Sequence, residues 1–141
     1  MENKEDLWWD YGIETSSKLS CFHMDWSKIT AQEREVAALW KLEADIGNGG
    51  FLQFFCNWGY EAYQYAIKAL ESIKALQSLE IVIQSYAVIA RLENEDMETI
   101  WDIPKLLTET EAEKLSQLDK RFWEGFDSEN ISKLAYDYYC Q

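Results

Sequence analysis

Few side chains of the types that perform catalysis stand at spacings that would let them act together. Cys21 and His23 are a conceivable thiol–imidazole pair, but they lie two residues apart in a stretch without a clear secondary-structure pattern. A carboxylate-bridged two-metal site needs Glu-x-x-His pairs, and the single histidine has no glutamate at that spacing. The three cysteines are scattered and form neither a zinc-binding nor a disulfide pattern. The sequence therefore predicts no enzyme, no metal site and no cofactor.

One stretch combines carboxylate, amide, glycine and aromatic side chains, and we call it the Asn-Gly-Gly-Phe corner. Gly49 and Gly50 permit a tight reversal with positive φ, and Asn48 is a candidate cap for the next helix. Because no Lys-Ser/Thr follows, the glycines do not form a phosphate-binding loop. We expect the amide and carboxylate side chains to bond the ends of neighbouring helices; the alternative is a small ligand pocket. The corner consists of Glu43, Asp45, Asn48, Gly49, Gly50, Phe51, Gln53 and Asn57.

The elements that position this corner are predicted to be helices. Long runs of Ala, Leu, Glu, Lys and Gln favour helix, and strand-like alternation is nearly absent. We predict an all-α, compact single-domain bundle of about six to seven helices over residues 1–141, with a helical extension at 1–30 and a core at 30–140. The predicted helices cover 3–11, 30–47, 51–58, 60–73 and 78–92, and two more begin near 108 or 110 and near 128.

Local signals mark several of these boundaries. Thr30 with Glu33, and Thr108 with Glu111, fit the capping box, as does the pair Thr110 and Glu113. Glycines mark predicted helix ends, and helical spacing marks inward-facing side chains. The predicted helix ends are Gly12, Gly47 and Gly59, and the inward-facing side chains include Val36, Leu39, Phe51, Phe54, Ala66, Val82, Ile83, Tyr86, Leu118, Phe122, Ile131, Tyr138 and Tyr139.

The charge balance excludes several partners. The chain has 26 acidic and 13 basic residues, a net charge of −13. Such a chain repels nucleic acid and anionic membranes, so a charged partner should be a basic protein; otherwise the acidity only maintains solubility. The first ten residues have no signal-peptide core, and no apolar run is long enough to span a membrane. We therefore expect a cytoplasmic protein, and a homodimer stays open.

The carboxylates that could bind a basic partner fall into three rows. In the N-terminal row the acids stand four residues apart, a like-charge spacing that helix stability alone disfavours. The connector row has no basic residue between Arg91 and Lys105, whereas Lys120 partly neutralises the row that also contains Glu124. The candidate partner-binding residues are Glu2, Asp6 and Asp10 in the N-terminal row, Glu93, Glu95, Asp96, Glu98 and Asp102 in the connector row, and Glu109 and Glu113 in the third row.

The Asn-Gly-Gly-Phe corner resembles the hallmark of a bacterial family named for a DNA-mimic protein. The resemblance rests on Asn48-Gly49-Gly50-Phe51 followed by Gln53 and Asn57, and on the later pattern Leu118-Asp119-Lys120-Arg121-Phe122-Trp123. It covers roughly residues 30 to 140. It implies an all-α fold and, for one branch, occupation of the DNA-binding surface of a transcription factor.

We therefore expect an acidic module that occludes a basic, nucleic-acid-binding surface on a partner protein, with rows of carboxylates holding Arg and Lys side chains. An alternative is an immunity protein or antitoxin that neutralises a basic toxin, for which an adjacent toxin gene would be the signature. A further alternative is a small-molecule-binding or enzymatic domain built on the Asn-Gly-Gly-Phe corner.

Overall fold

The computed structural model of the chain describes residues 3–94 and 100–140, and within them it contains α-helices and 3-10 turns but no strand. The all-α fold class expected from composition is confirmed. The short 3-10 turns are Trp26–Lys28, Ala90–Asn94 and Ile100–Asp102. The α-helices in the described residues are α1 (Lys4–Cys21), α2 (Ala31–Ser72), α3 (Leu76–Ile89), α4 (Ile103–Leu106), α5 (Glu109–Glu124) and α6 (Phe126–Tyr139).

The first helix is longer than predicted. The expectation that it ends at Gly12 is wrong, since α1 continues without a break to Cys21. A Cβ at Gly12 would overlap the indole ring of Trp40 on α2. This glycine therefore lets α1 approach α2 closely, and it does not terminate the helix. The start of α1 is capped by the side chain of Asn3, which accepts the Asp6 N–H at 2.8 Å.

The three helices predicted over residues 30–73 are the three segments of one kinked helix, α2, and the predicted breaks at Asn48-Gly49-Gly50 and at Gly59 are confirmed. Its backbone leaves helical geometry only at Gly50 (φ 84°) and Gly59 (φ 83°), positive values that glycine adopts readily. The predicted end at Gly47 is wrong because that residue remains helical and receives the indole ring of Trp123 from α5. The two kinks divide α2 into three segments that run in different directions through the domain. These segments are 31–49, 51–58 and 60–72.

Two of the predicted capping boxes are confirmed, at the starts of α2 and α5. The Glu33 N–H donates to Thr30 Oγ1 at 3.1 Å, and the Thr30 N–H donates to Glu33 Oε1 at 2.9 Å. At α5 the reciprocal distances between Thr108 and Glu111 are 3.1 and 2.9 Å. Each box satisfies two backbone groups that have no partner within the helix.

The core forms around α2, which packs against α1, α3, α5 and α6. Two residues predicted to face inward are exposed. Ile83 lies away from the buried side of α3. Tyr138 is exposed, and the neighbouring Tyr139 is buried instead, where its hydroxyl donates to buried Glu35 at 2.7 Å. The largest fully buried side chains are Trp8, Phe51, Phe54, Leu19, Leu39, Leu42, Leu70, Ile89, Leu92, Ile103, Ile131 and Val36.

Candidate functional site

The centre of the Asn-Gly-Gly-Phe corner is the carboxylate of Asp45, which lies in the first segment of α2 and is buried. Its Oδ2 accepts the Trp58 indole N–H at 2.7 Å and the Asn57 amide at 3.3 Å. Its Oδ1 accepts the Gln53 amide at 3.1 Å. The amides thus bond a side chain across the kink at Gly50 rather than the helix ends that we expected. They hold the first and second segments of α2 together.

A buried lysine completes this cluster. Lys41, one helical turn before Asp45, is only 4% exposed, and its Nζ lies 3.7 Å from the centroid of the Trp58 ring. Burial lowers the pKa of Lys41 to about 8, and the nearby Asp45 carboxylate partly opposes this shift. The ammonium is thus stabilised by an aromatic face and by a carboxylate.

The kink at Gly50 depends on a residue from α5. Asp119 Oδ1 accepts the Phe51 N–H at 2.9 Å, so Asp119 caps the second segment of α2. The prediction that Asn48 caps this segment is wrong, and the Asn48 side chain is exposed. A Cβ at Gly50 would overlap this carboxylate. Burial raises the pKa of Asp119, and the Phe51 N–H bond opposes the shift. Gly49 is packed by the side-chain amide of Gln53.

Glu43 does not face the other polar residues of the corner. It accepts the Trp8 indole N–H at 2.8 Å and is also bonded by Ser132, so it connects α2 to α1 and α6. Burial raises the pKa of Glu43 to about 7, and nearby Glu5 acts in the same direction. The ligand pocket considered above would require Glu43 to share a cavity with Asp45, and the structure points these side chains in different directions.

The other candidate chemistry is also dispersed. Cys21 and His23 are both exposed, and no hydrogen bond joins them. Over residues 3–94 and 100–140, no three His, Cys, Asp or Glu side chains are grouped so that they could hold a metal ion. No helix in the same ranges is long and apolar enough to cross a membrane.

The N-terminal row lies on the solvent side of α1. Asp6 and Asp10 are exposed, and neither forms an ion pair with a described residue. Because α1 continues past Gly12, the row gains Glu14, which is also exposed and stands four residues after Asp10. Sequence reasoning missed Glu14 because it ended this helix too early. Glu2 lies outside the described residues.

The connector row falls mostly outside the described residues. Glu95, Asp96 and Glu98 lie there, and so does the side chain of Glu93. Asp102 is described: its Oδ1 lies 3.7 Å from the Lys105 Nζ, with 31% of its side chain exposed.

The third row lies on α5, opposite the buried Leu118 and Phe122. Glu109 and Glu113 are exposed and form no ion pair with a described residue. Glu124, further along the same side, is 4.0 Å from the Lys120 ammonium, so the expected partial neutralisation takes place there.

Neighbouring Glu111 serves a different purpose. Arg91 donates to both of its oxygens at 2.7 and 2.8 Å, and it also donates to the Leu106 carbonyl. The Arg91 guanidinium and the capping bond from Thr108 lower the pKa of Glu111 to about 2. Glu111 therefore holds the start of α5 in place and is not available to a partner.

The two described rows are on helices with different main neighbours. The helix α1 packs chiefly on α2 and α6, whereas α5 packs chiefly on α3. The two rows therefore lie on separate helices, both of which also contact α2 and α6. Sequence reasoning also missed Lys41 and Asp119, although the spacing of Lys41 and Asp45 was a usable signal; the contact of Asp119 with Phe51 joins residues 68 positions apart and has no local signature.

Comparison with known proteins places most of the chain in one family. The model of the family described as DMP19-like protein matches residues 27–141, a range that includes the whole Asn-Gly-Gly-Phe corner and Asp119 but leaves out α1. Comparisons with curated proteins and with solved structures give no match. Because the matched range is most of the chain, this protein belongs to the DMP19-like protein family.

Proposed function

We propose that this protein is an acidic, non-catalytic module that acts in the cytoplasm and occupies the basic nucleic-acid-binding surface of a partner protein, such as a transcription factor. Membership of a family named for a DNA mimic supports this proposal. The net charge of −13 supports it too, because it favours association with a basic surface and opposes direct contact with nucleic acid.

The observation that carries the proposal is that exposed carboxylates on two helices form no ion pair with any cation in residues 3–94 and 100–140. Asp6 and Asp10 on α1, and Glu109 and Glu113 on α5, form no ion pair with a described residue. In contrast, Lys4, Lys18 and Arg91 pair with acids elsewhere in the domain. The unpaired rows are therefore open to the cations of another molecule.

Occupation would work by competition. Arginine and lysine side chains that otherwise neutralise phosphates would bind the carboxylates, so the partner could not hold nucleic acid at the same time. Since the charges are solvent-exposed, the association should weaken steeply with ionic strength. The Asp45 cluster and the capping boxes contribute by keeping α2 and α5 rigid, which limits the loss of entropy on binding.

The test has two stages. The chain is first immobilised and used to capture proteins at low salt, with elution by a salt gradient and identification by mass spectrometry. Each purified candidate is then bound to labelled duplex DNA and titrated with the chain. We expect one basic DNA-binding protein to elute at moderate salt and to release its duplex stoichiometrically.

Two results would contradict the proposal. Capture of a nuclease whose activity the chain blocks without displacing DNA from a regulator would instead support an immunity protein. If every captured protein keeps its duplex at saturating chain concentrations, occlusion is refuted. Chain with Glu109→Gln and Glu113→Gln is a useful comparison, because it lowers the charge of one row while the capping pair at Thr108 stays intact.

A further inference from the structure

The solvent side of α1 combines unpaired acids with exposed apolar side chains. At about 100° per residue, Asp6, Asp10 and Glu14 lie along one side of the helix, away from the buried Trp8 and Leu19. Successive acids rise about 6 Å along the axis. We call this side, together with the two apolar residues described next, the outer face of α1.

Two large apolar side chains border this row of acids. Trp9 is 40% exposed and Ile13 is 43% exposed, and their four-residue spacing places them side by side on the helix. Trp9 meets Trp40 edge-on, with ring centroids 5.3 Å apart, a contact that favours one orientation of the Trp9 ring before any partner arrives. A fixed aromatic ring that remains accessible is the kind of residue that anchors protein interfaces.

The lysines of α1 do not neutralise the outer face. Lys4 Nζ is 2.9 Å from Asp137 on α6, and Lys18 Nζ is 2.9 Å from Glu33 on α2. Both cations are thereby held at the flanks where α1 packs on its neighbours. The outer face keeps an uncompensated negative charge beside its apolar strip.

We infer that the outer face of α1 is a docking surface for a basic amphipathic helix of the partner protein. This inference rests on the proposed function and names the surface and the element that it binds. A helix with Lys or Arg at every fourth position has the same rise of about 6 Å as the acids of α1, so one cation meets each carboxylate. Apolar side chains next to those cations then cover Trp9 and Ile13.

The outer face lies outside the part of the chain that the family model matches. The family match begins at residue 27, after α1 has ended.

The probe for the test is a synthetic fluorescein-labelled helical peptide with arginine at three positions spaced by four residues and leucine beside each. A matched peptide has glutamine in place of each arginine. Fluorescence anisotropy at low salt measures both affinities, and ¹H–¹⁵N spectra of the whole chain follow the Trp9 indole N–H. We expect the arginine peptide to bind at least about tenfold more tightly than its match and to shift the Trp9 signal.

Matched variants locate the binding site. Asp6→Asn, Asp10→Asn and Glu14→Gln together should weaken peptide binding about tenfold or more, whereas the equal charge change on α5, at Glu109, Glu113 and Glu124, should alter it less than about twofold. Ile13→Ala should weaken it about threefold or more, and Ile83→Ala, which truncates an equally exposed isoleucine on α3, should not. Circular dichroism checks that every variant folds.

Equal losses in the two sets of charge variants would mean that the peptide senses only net charge, and absence of peptide binding or of a Trp9 shift would also overturn the inference. These results leave the proposed function intact if a captured regulator still loses its duplex. Conversely, the outer face can bind the peptide as expected while no captured protein releases its DNA. That result would support the docking surface and refute only the occlusion mechanism.

Discussion

Replacement of Asp45 by alanine tests how far the Asn-Gly-Gly-Phe corner supports the fold. The change removes the acceptor of three side-chain N–H groups, from Gln53, Asn57 and Trp58. It also leaves the ammonium of Lys41 buried without the carboxylate that raises its pKa. Both effects lower the free energy of unfolding, because each leaves a polar group without its partner inside the domain.

The size of the loss follows from which groups water can reach. Asn57 is exposed and Gln53 is half-buried, so water replaces much of what their amides lose. The Trp58 N–H makes the shortest of the three bonds, at 2.7 Å, and an unsatisfied donor costs about 1–3 kcal/mol. Removal of the carboxylate near a buried ammonium costs at most about 3–5 kcal/mol, and Lys41 limits this loss by releasing its proton. We expect a total decrease of about 3–5 kcal/mol at pH 7.

The assay is urea unfolding followed by tryptophan fluorescence and circular dichroism at pH 7 and pH 9. Because the pKa of Lys41 is already lowered to about 8 and falls further without Asp45, the loss should be smaller at pH 9, where the amine is neutral. It should also shrink in a Lys41→Met background. Asp6→Ala, at an exposed unpaired carboxylate, is the control and should stay within about 0.5 kcal/mol.

A decrease in the free energy of unfolding of less than about 1 kcal/mol for Asp45→Ala would refute the role of Asp45 in the fold. So would a decrease of the same size in the Lys41→Met background. The first result would mean that the donors around Asp45 find equivalent partners elsewhere, and the second that the charge of Lys41 does not depend on Asp45.

Three further predictions concern single sites. The pKa of Glu43 is about 7 in the folded protein against 4.5 in the unfolded chain, so the folded state binds more protons between these pH values and the free energy of unfolding falls as pH rises through them. Glu43→Gln should abolish this fall between pH 5 and pH 8 in urea titrations. An unchanged pH dependence of the free energy of unfolding would contradict the prediction. Gly50→Ala should lose about 1–3 kcal/mol more than Gly59→Ala, since both have positive φ but only the former meets the Asp119 carboxylate; equal losses in thermal unfolding would contradict that contact. A thiol reagent at neutral pH should modify exposed Cys21 first, half-buried Cys140 more slowly and buried Cys56 only on unfolding, because burial limits access to the latter two thiols and raises their pKa. Mass spectrometry of the labelled peptides measures the order, and early labelling of Cys56 would contradict it.

Much of the fold could be predicted because helix signals are local. The capping boxes at Thr30 and Thr108 need only residues three positions apart, and both are formed as predicted. The α-helical class follows from composition in the same way. Glycine is harder to interpret from sequence, because it serves both as a helix end and as a point of close packing.

Gly12 and Gly47 show that difficulty. Both resemble helix terminators, yet both stay helical and pack against an indole ring of another helix: a Cβ would overlap the Trp40 ring at Gly12 and would be in tight contact with the Trp123 ring at Gly47. Because the predicted helix ended at Gly12, Glu14 was left out of the predicted N-terminal row. These misreadings share one cause, which is that the deciding contact comes from a residue far away in the chain.

The sequence by itself determined the helical class, the strong negative charge and the capping boxes, since each depends on composition or on neighbours within one helical turn. Only the tertiary structure decided that Asp45 gathers the amides of the corner, that Glu43 faces α1 and α6 instead, and that Asp119 caps the kink at Gly50. These outcomes depend on how helices pack across the core, and packing brings together groups whose separation along the chain carries no local signal.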